Sequence, residues 1–278
     1  MPTFATPGPI TATLSTGGAK VRLAASERPD TVVLVEPIDS ENKTDLKVAE
    51  KTKVEFAEGE LKIETVKAGD KNGSVAITIE LPVGSKLVLE TAWSDIQASG
   101  ALGDCAVDLA SGQVKLDHVA NLHGHLSTGE VEVAHVAGTV SIEGGAAGVR
   151  IGAAEGVVKY QGSTGKVWIG HGMSDIDLSG SGGSFDIDRA DGNVIAKAAD
   201  CPIRVGRITQ GQAVLMNAAG GIEVGISEGT AAWVDAKSTK GTVRSSLPAQ
   251  DALDEFDNKV EVYARTRLND IVIQRATG

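Results

Sequence analysis

The amino-acid sequence predicts an all-β protein: a single-stranded parallel β-solenoid (β-helix) with a ~9-residue strand period, ~18-residue coils and an N-terminal β-rich cap. Three observations carry this. Aliphatic residues recur every nine positions, as in Val131, Val140, Val149, Val158, Val167 and Ile176. A second, mostly large apolar residue follows two positions later, as in Val133, Ile142, Ile151, Tyr160 and Ile169. An i, i+2 pair lies on one face of a strand. Glycine usually stands two residues before the pair, as at Gly129, Gly138, Gly156, Gly165 and Gly183, where a corner needs its conformational freedom.

Composition agrees with a thin, repetitive core. The 278 residues include Gly 34 but only Phe 4, Trp 3 and Tyr 2. The glycines have no triplet period, which excludes collagen. The units are too short for a crossover helix. Hairpins would show Asn-Gly or Asp-Gly turns at most corners, yet Asp191-Gly192 is the only such pair in the repeats.

Element by element, the chain divides into residues 1–86, a β-rich cap region; 87–240, the solenoid repeats; and 241–278, C-terminal strands or cap. The first region alternates without the nine-residue beat. Its expected strands are 10–14, 20–23, 31–35, 53–56, 61–65 and 74–81, with a short helix at 45–51 started by Asn42 or Thr44. Small corners such as Ser163-Thr164 alternate with corners holding an apolar residue such as Met173 or Ile208. This alternation points to two strands per coil; a three-sided coil of about 27 residues is the alternative. The inward pairs run on through Ala213/Leu215 and Ile222/Val224 to Ala231/Trp233. Residues 248–258 form an acidic, proline-containing loop. Strands at 260–265 and 270–274 then cover an outer face or cap the end.

The residues between the inward pairs face outward. One row reads Glu132, Arg150, Trp168, Asp186, Arg204 and Glu223, which stacks opposite charges. The other reads Ser141, Lys159, Asp177, Ile195, Val214 and Ala232. Its apolar end, Ile195, Val214 and Ala232, is the predicted interaction stripe, unless a terminal segment covers it.

The net charge of −11 argues against nucleic acid and anionic lipid and is read as a solubility device. Cys105 and Cys201 are expected as two buried thiols rather than a disulfide. No signal peptide or transmembrane run is visible, so a cytoplasmic location is expected, with nonclassical export as the alternative. His123-Gly124-His125, near His118 and His135, is the best metal-like feature, but no third ligand type converges in the sequence and no metal or cofactor is expected. Asp175, Asp177, Asp186, Asp188 and Asp191 form an acidic cluster, read first as a solvated face and second as β-helix carboxylate chemistry. A calcium-binding nonapeptide roll would need a recurring carboxylate before each strand, and none recurs.

Leu81-Pro82-Val83-Gly84-Ser85, the Gly-x-Val-x-Val repeats, Glu228-Gly229-Thr230-Ala231-Ala232-Trp233-Val234-Asp235, and Ala264-Arg265-Thr266 followed by Asp270-Ile271 carry a resemblance. The chain resembles the bacterial "putative adhesin" β-strand-repeat family, a domain of unknown function common in actinobacteria. The resemblance implies a β-solenoid and a cell-surface role, and transfers no catalytic residue. The functional expectation is a noncatalytic scaffold or protein-interaction module, binding a protein partner or itself. The alternatives are a carbohydrate-active β-helix enzyme and a filament-forming solenoid.

Overall fold

The computed structural model describes residues 2–65, 73–247 and 258–276. The chain divides into two compact units, Met1–Ala137 and Gly138–Gly278. The expected loop at 248–258 lies, except for its last residue, outside the described residues.

Unit 1 contains β1 (Thr3–Ala5), β2 (Thr11–Thr16), β3 (Ala19–Ser26), β4 (Asp30–Pro37), α1 (Lys43–Lys51), β5 (Lys53–Ala57), β6 (Glu60–Glu64), β7 (Val75–Pro82), β8 (Lys86–Leu126) and β9 (Glu130–Val136). Every strand expected here forms, and so does the helix. Asn42 caps it, its side chain accepting from the Thr44 and Asp45 amides. The strands alternate buried and exposed because every second side chain meets the core.

The rungs of unit 1 are not stacked in chain order. Strand β2 lies between β6 and β8 and is parallel to both, with Ala12 opposite Leu61 on one side and Leu87 on the other. Strand β3 lies in the same way between β7 and β8, with Val21 opposite Ile77 and Ile96. The rung β6–β7 is therefore laid outside β2–β3 before β8 returns to the inner side. Strands β5 and β4 then pair antiparallel to β6 and β7, and β1 pairs antiparallel to β4. These antiparallel strands cover the outer rung and occupy the backbone groups that would otherwise template edge pairing. The cap and the first coils are thus interleaved within the N-terminal 86 residues.

Unit 2 contains β10 (Val140–Gly144), β11 (Gly148–Ala154), β12 (Val158–Gly162), β13 (Lys166–Gly172), β14 (Ile176–Gly182), β15 (Ser184–Ala190), β16 (Val194–Asp200), β17 (Ile203–Ile208), β18 (Gly211–Met216), β19 (Ile222–Ile226), β20 (Thr230–Ser238), β21 (Val243–Ser245), β22 (Asn258–Thr266) and β23 (Ile271–Arg275). Val140 lies opposite Val158, Val158 opposite Ile176, and Ile176 opposite Val194. The odd-numbered strands step equally, from Val149 to Val167 to Phe185 to Ile203. Pairing at twice the sequence period fixes two strands per coil and rules out the three-sided alternative. The inward pairs are buried throughout, from Val140 and Ile142 to Ile222 and Val224.

The C-terminal strands do something the sequence does not announce. Strand β18 pairs with β22, and β22 pairs on its other edge with β20. Likewise β19 pairs with β23, and β23 with β21. The last segment of chain neither covers an outer face nor caps an end. It forms a rung between two rungs made earlier. The inserted position buries Val260, Val262, Ala264, Ile271 and Ile273, and it satisfies the backbone of β22 and β23 on both edges.

Close rung stacking also demands small corners. At Gly183, φ is +96° and an added Cβ would lie 2.0 Å from the Gly165 carbonyl oxygen. Only glycine meets both conditions. Cys105 and Cys201 are free and buried, as expected. Burial pushes the Cys105 thiol up to about 12 and the Cys201 thiol up to about 11. Both stay protonated near neutrality, so neither serves as a nucleophile there.

Candidate functional site

The outward rows of unit 2 follow the predicted register through most of their length. On the odd-numbered strands, Arg150, Trp168, Asp186, Arg204 and Glu223 stand in line. The Arg150 guanidinium lies over the Trp168 ring at 4.5 Å, and Arg204 Nη1 reaches Asp186 Oδ1 at 2.6 Å and Asp188 Oδ1 at 2.9 Å. In unit 1 the same logic pairs Lys115 with Glu132.

On the even-numbered strands, Asp177 is followed by Ile195 and Ile195 by Val214. The neighbour of Val214 is then Tyr263 on the inserted β22, not Ala232. Ala232 stands opposite Val260, a core residue, so it faces the inner side. The expected inward partner Trp233 instead faces outward, opposite Glu261, and is 46% exposed. Its ring lies 5.0 Å from that of Tyr263. The physical cause is a one-residue phase change, which turns each side chain of a strand to the opposite face. The apolar patch is thus built from Ile195, Val214, Tyr263 and Trp233, with Met216 beside Val214 on β18 and also exposed. Sequence reasoning missed Tyr263 because nothing local reveals which rung β22 joins.

The five aspartates of the acidic cluster do not form one site: only Asp186 and Asp188, two apart on β15, converge. Asp186 and Asp188 hold Arg204, and Asp177 sits on the even-numbered row between Lys159 and Ile195. Asp175 Oδ1 accepts from the backbone and side-chain nitrogens of Asn193. Asp191 binds His171 Nε2, Arg189 Nε and the Thr209 hydroxyl. Partial burial raises the Asp191 pKa, but these three hydrogen bonds together outweigh it and hold the carboxyl below its ordinary value. A depressed carboxylate pKa contributes stability at neutral pH that is lost as pH falls through the folded-state value. Asp191→Asn is therefore expected to be less stable than wild type at pH 7 and to lose less on acidification below about pH 4. Chemical denaturation of both proteins between pH 7 and pH 3 reads this; parallel curves would remove Asp191 as the acid-sensitive group.

His118 and His135 face each other across β8 and β9 with ring centroids 5.4 Å apart. Among the described residues, no group of three or more His, Cys, Asp or Glu side chains is placed to hold a metal ion.

The family-specific strings have architectural roles. Ser85 is fully buried; its Oγ accepts from the Ile10 amide at 3.0 Å and donates to the Pro82 carbonyl at 2.6 Å. It ties the entry of the sandwiched rung β2–β3 to the end of β7. Arg265 pairs with the Asp235 carboxylate and donates to the Asp235 carbonyl at 2.7 Å, which pins β22 to β20. Asp270 accepts from the Thr242 amide at 2.8 Å and tethers β23 to the start of β21. These residues fasten the two rungs that depart from chain order.

The profile of the Toastrack DUF4097 family matches residues 13–278. The chain belongs to the Toastrack DUF4097 family. No curated protein matches it. Among solved structures it is similar to a "putative cell adhesion protein" of Clostridium sporogenes, at 11% identity, covering 99% of this chain and 98% of that one, with a TM-score of 0.21. It is also similar to a "putative adhesin" of Bacteroides fragilis, at 9% identity, 98% and 95% coverage and a TM-score of 0.33. A third such protein, from Parabacteroides distasonis, shows 12% identity, 98% and 95% coverage and a TM-score of 0.28. Toastrack DUF4097 is a domain of unknown function, and membership transfers no catalytic residue to this chain.

Proposed function

We propose that this Toastrack protein is a noncatalytic β-solenoid scaffold that binds a protein partner through the even-numbered face of unit 2. One observation carries the reading: Ile195, Val214 and Tyr263 align on adjacent parallel strands, and the exposed Trp233 packs against the end of that row. A flat row of aliphatic and aromatic side chains on a rigid sheet suits a protein interface, where aromatic anchors carry most of the binding energy. Asp186 and Asp188 do converge, but on the Arg204 guanidinium, which occupies the space between them where a scissile bond would have to lie, and this supports a noncatalytic role.

Val214→Asp and Tyr263→Asp test the proposal. Both side chains face outward, so each variant is expected to keep its melting temperature within a few degrees. Each is expected to lose at least tenfold in retention of the partner that wild type captures from its native host, since charge at an interface core is costly. A wild-type protein that is monomeric and retains nothing, or a partner held equally by both variants, refutes the reading. Turnover of a polysaccharide abolished by Asp177→Asn or Asp186→Asn would replace it with an enzyme.

A further inference from the structure

We infer that the partner of the even-numbered face of unit 2 is a second copy of this chain, docked about a two-fold axis that runs along the stack of rungs. The inference rests on the reading proposed above and names its partner. Three columns of outward side chains cross β14, β16, β18, β22 and β20. The middle column is apolar over three rungs, at Ile195, Val214 and Tyr263. On one side of it runs a ladder of hydrogen bonds that is acidic at both ends. Asp175 Oδ1 accepts from Asn193 Nδ2 at 3.1 Å, Asn193 Oδ1 accepts from the Gln212 amide at 2.9 Å, and Gln212 Nε2 donates to Glu261 Oε2 at 3.1 Å. Trp233 stands next in this column, opposite Glu261. On the other side Lys197, Met216, Arg265 and Lys237 stand in register on successive rungs. Arg265 holds Asp235, and Lys197 and Lys237 are exposed, as is Glu261. The face therefore has an apolar middle, one acidic margin and one basic margin.

Such a face is complementary to itself in one orientation. In a closed dimer the same patch meets itself about a two-fold axis. With the axis along the strands, each column meets itself with its rungs reversed. About Val214, Lys197 then faces Arg265 of the second copy, and Asp177 faces Asp235. Like charges oppose that arrangement. With the axis along the stack, every rung stays level and the outer columns change places. The apolar column meets its own copy, and each acidic margin meets a basic one. Lys237 of one copy comes level with Trp233 of the other and one rung, about 4.8 Å, along the stack from its Glu261. An indole face and a carboxylate both attract an ammonium, and symmetry makes the pairing twice. Asp177, one rung beyond Ile195, meets its own copy in this arrangement and ends the contact there. Four rungs make a contact smaller than the roughly 800 Å² a side of a standard interface, so the dimer is a weak one, with dissociation at about 10–100 μM. Each copy carries a net charge of −11. At about 0.15 M salt this repulsion is screened beyond roughly 8 Å, and pairs in contact are screened less.

Sedimentation equilibrium of the full chain, from about 5 to 200 μM at about 0.15 M salt, tests this. Wild type is expected to follow a monomer–dimer equilibrium. Glu261→Lys and Lys237→Glu, each alone, are expected to weaken it at least tenfold, because like charges then meet at both margins. Both side chains are exposed, so both variants are expected to melt within a few degrees of wild type. An equal mixture of the two variants is expected to recover dimers, one copy of each per dimer, because the two altered side chains meet across the interface. A change within one chain cannot produce that recovery. A dimer that either single variant leaves intact, a mixture that recovers nothing, or open-ended oligomers would overturn the inference. So would a chain that is monomeric at about 200 μM, and host capture then separates the two readings. If that monomer captures a host protein that Val214→Asp no longer retains, the partner reading stands and only the second copy is lost. If it captures nothing, both are lost.

Discussion

A chain lacking residues 248–278 is expected to lose cooperative folding of its C-terminal unit. In a solenoid wound in chain order, removing the last coil exposes a new end and little else. Here the last strands form an interior rung. Their removal parts β18 from β20 and β19 from β21, and strips both remaining edges of their hydrogen-bond partners. It also removes the buried Val260, Val262, Ala264, Ile271 and Ile273. At about 1.5–3 kcal/mol for each large aliphatic side chain, the loss is on the order of 10 kcal/mol, comparable to the whole stability of a domain. Thermal and urea unfolding followed by far-ultraviolet circular dichroism should show a broad, shifted transition or insoluble protein. A truncated chain that melts sharply at the wild-type temperature would mean that β20 and β21 can stack directly on β18 and β19.

The second large effect is expected at Gly162. An added Cβ there would lie 2.1 Å from the Tyr160 hydroxyl oxygen and 2.5 Å from the ring carbon that bears it. Tyr160 has little room to yield: it is 4% exposed and meets Phe185 edge-on, with centroids 6.0 Å apart. Gly162→Ala is expected to cost about 2–3 kcal/mol, the range of overpacked cores. The Tyr160 hydroxyl itself has no partner among the described residues, and burial raises its pKa. Tyr160→Phe is therefore expected to be neutral or to stabilise by up to about 1 kcal/mol, against the usual trend for core substitutions. Tyr160→Leu combined with Gly162→Ala should be more stable than the sum of the single changes by at least about 1 kcal/mol, the signature of two residues competing for one space. Additive effects in that cycle would place the cost of Gly162→Ala in the corner backbone instead.

The register of the apolar row shows where sequence reading succeeds and where it stops. Ile195 and Val214 were legible because both lie in rungs wound in chain order, where the period alone sets the neighbours. Tyr263 was not, because its rung is reached only after the chain has passed it by. Ala232 was assigned to the wrong face for a related reason. The period carried forward from Ile222 puts Ala231 and Trp233 inward; Ala231 is buried, but pairing with β22 sets Ala232 and Val234 opposite the core residues Val260 and Val262 and turns Trp233 outward. The groove that Trp93 lines with Glu64, Glu90 and Asp108 was illegible too. Glu90 and Asp108 stand one coil apart on β8, but Glu64 joins them only because β2 lies between β6 and β8.

The sequence by itself determined the coil. Spacing of aliphatic pairs, and glycines where rungs approach closely, are local demands that each segment must meet wherever it stacks. The tertiary structure decided the order of the rungs. Every rung presents the same inward pair and the same unpaired backbone edges, so the local pattern fits many stacking orders equally. Selection among them rests on contacts between distant residues, such as Ser85 with Ile10 and Arg265 with Asp235. Those contacts bring the apolar stripe and the acidic corner into being.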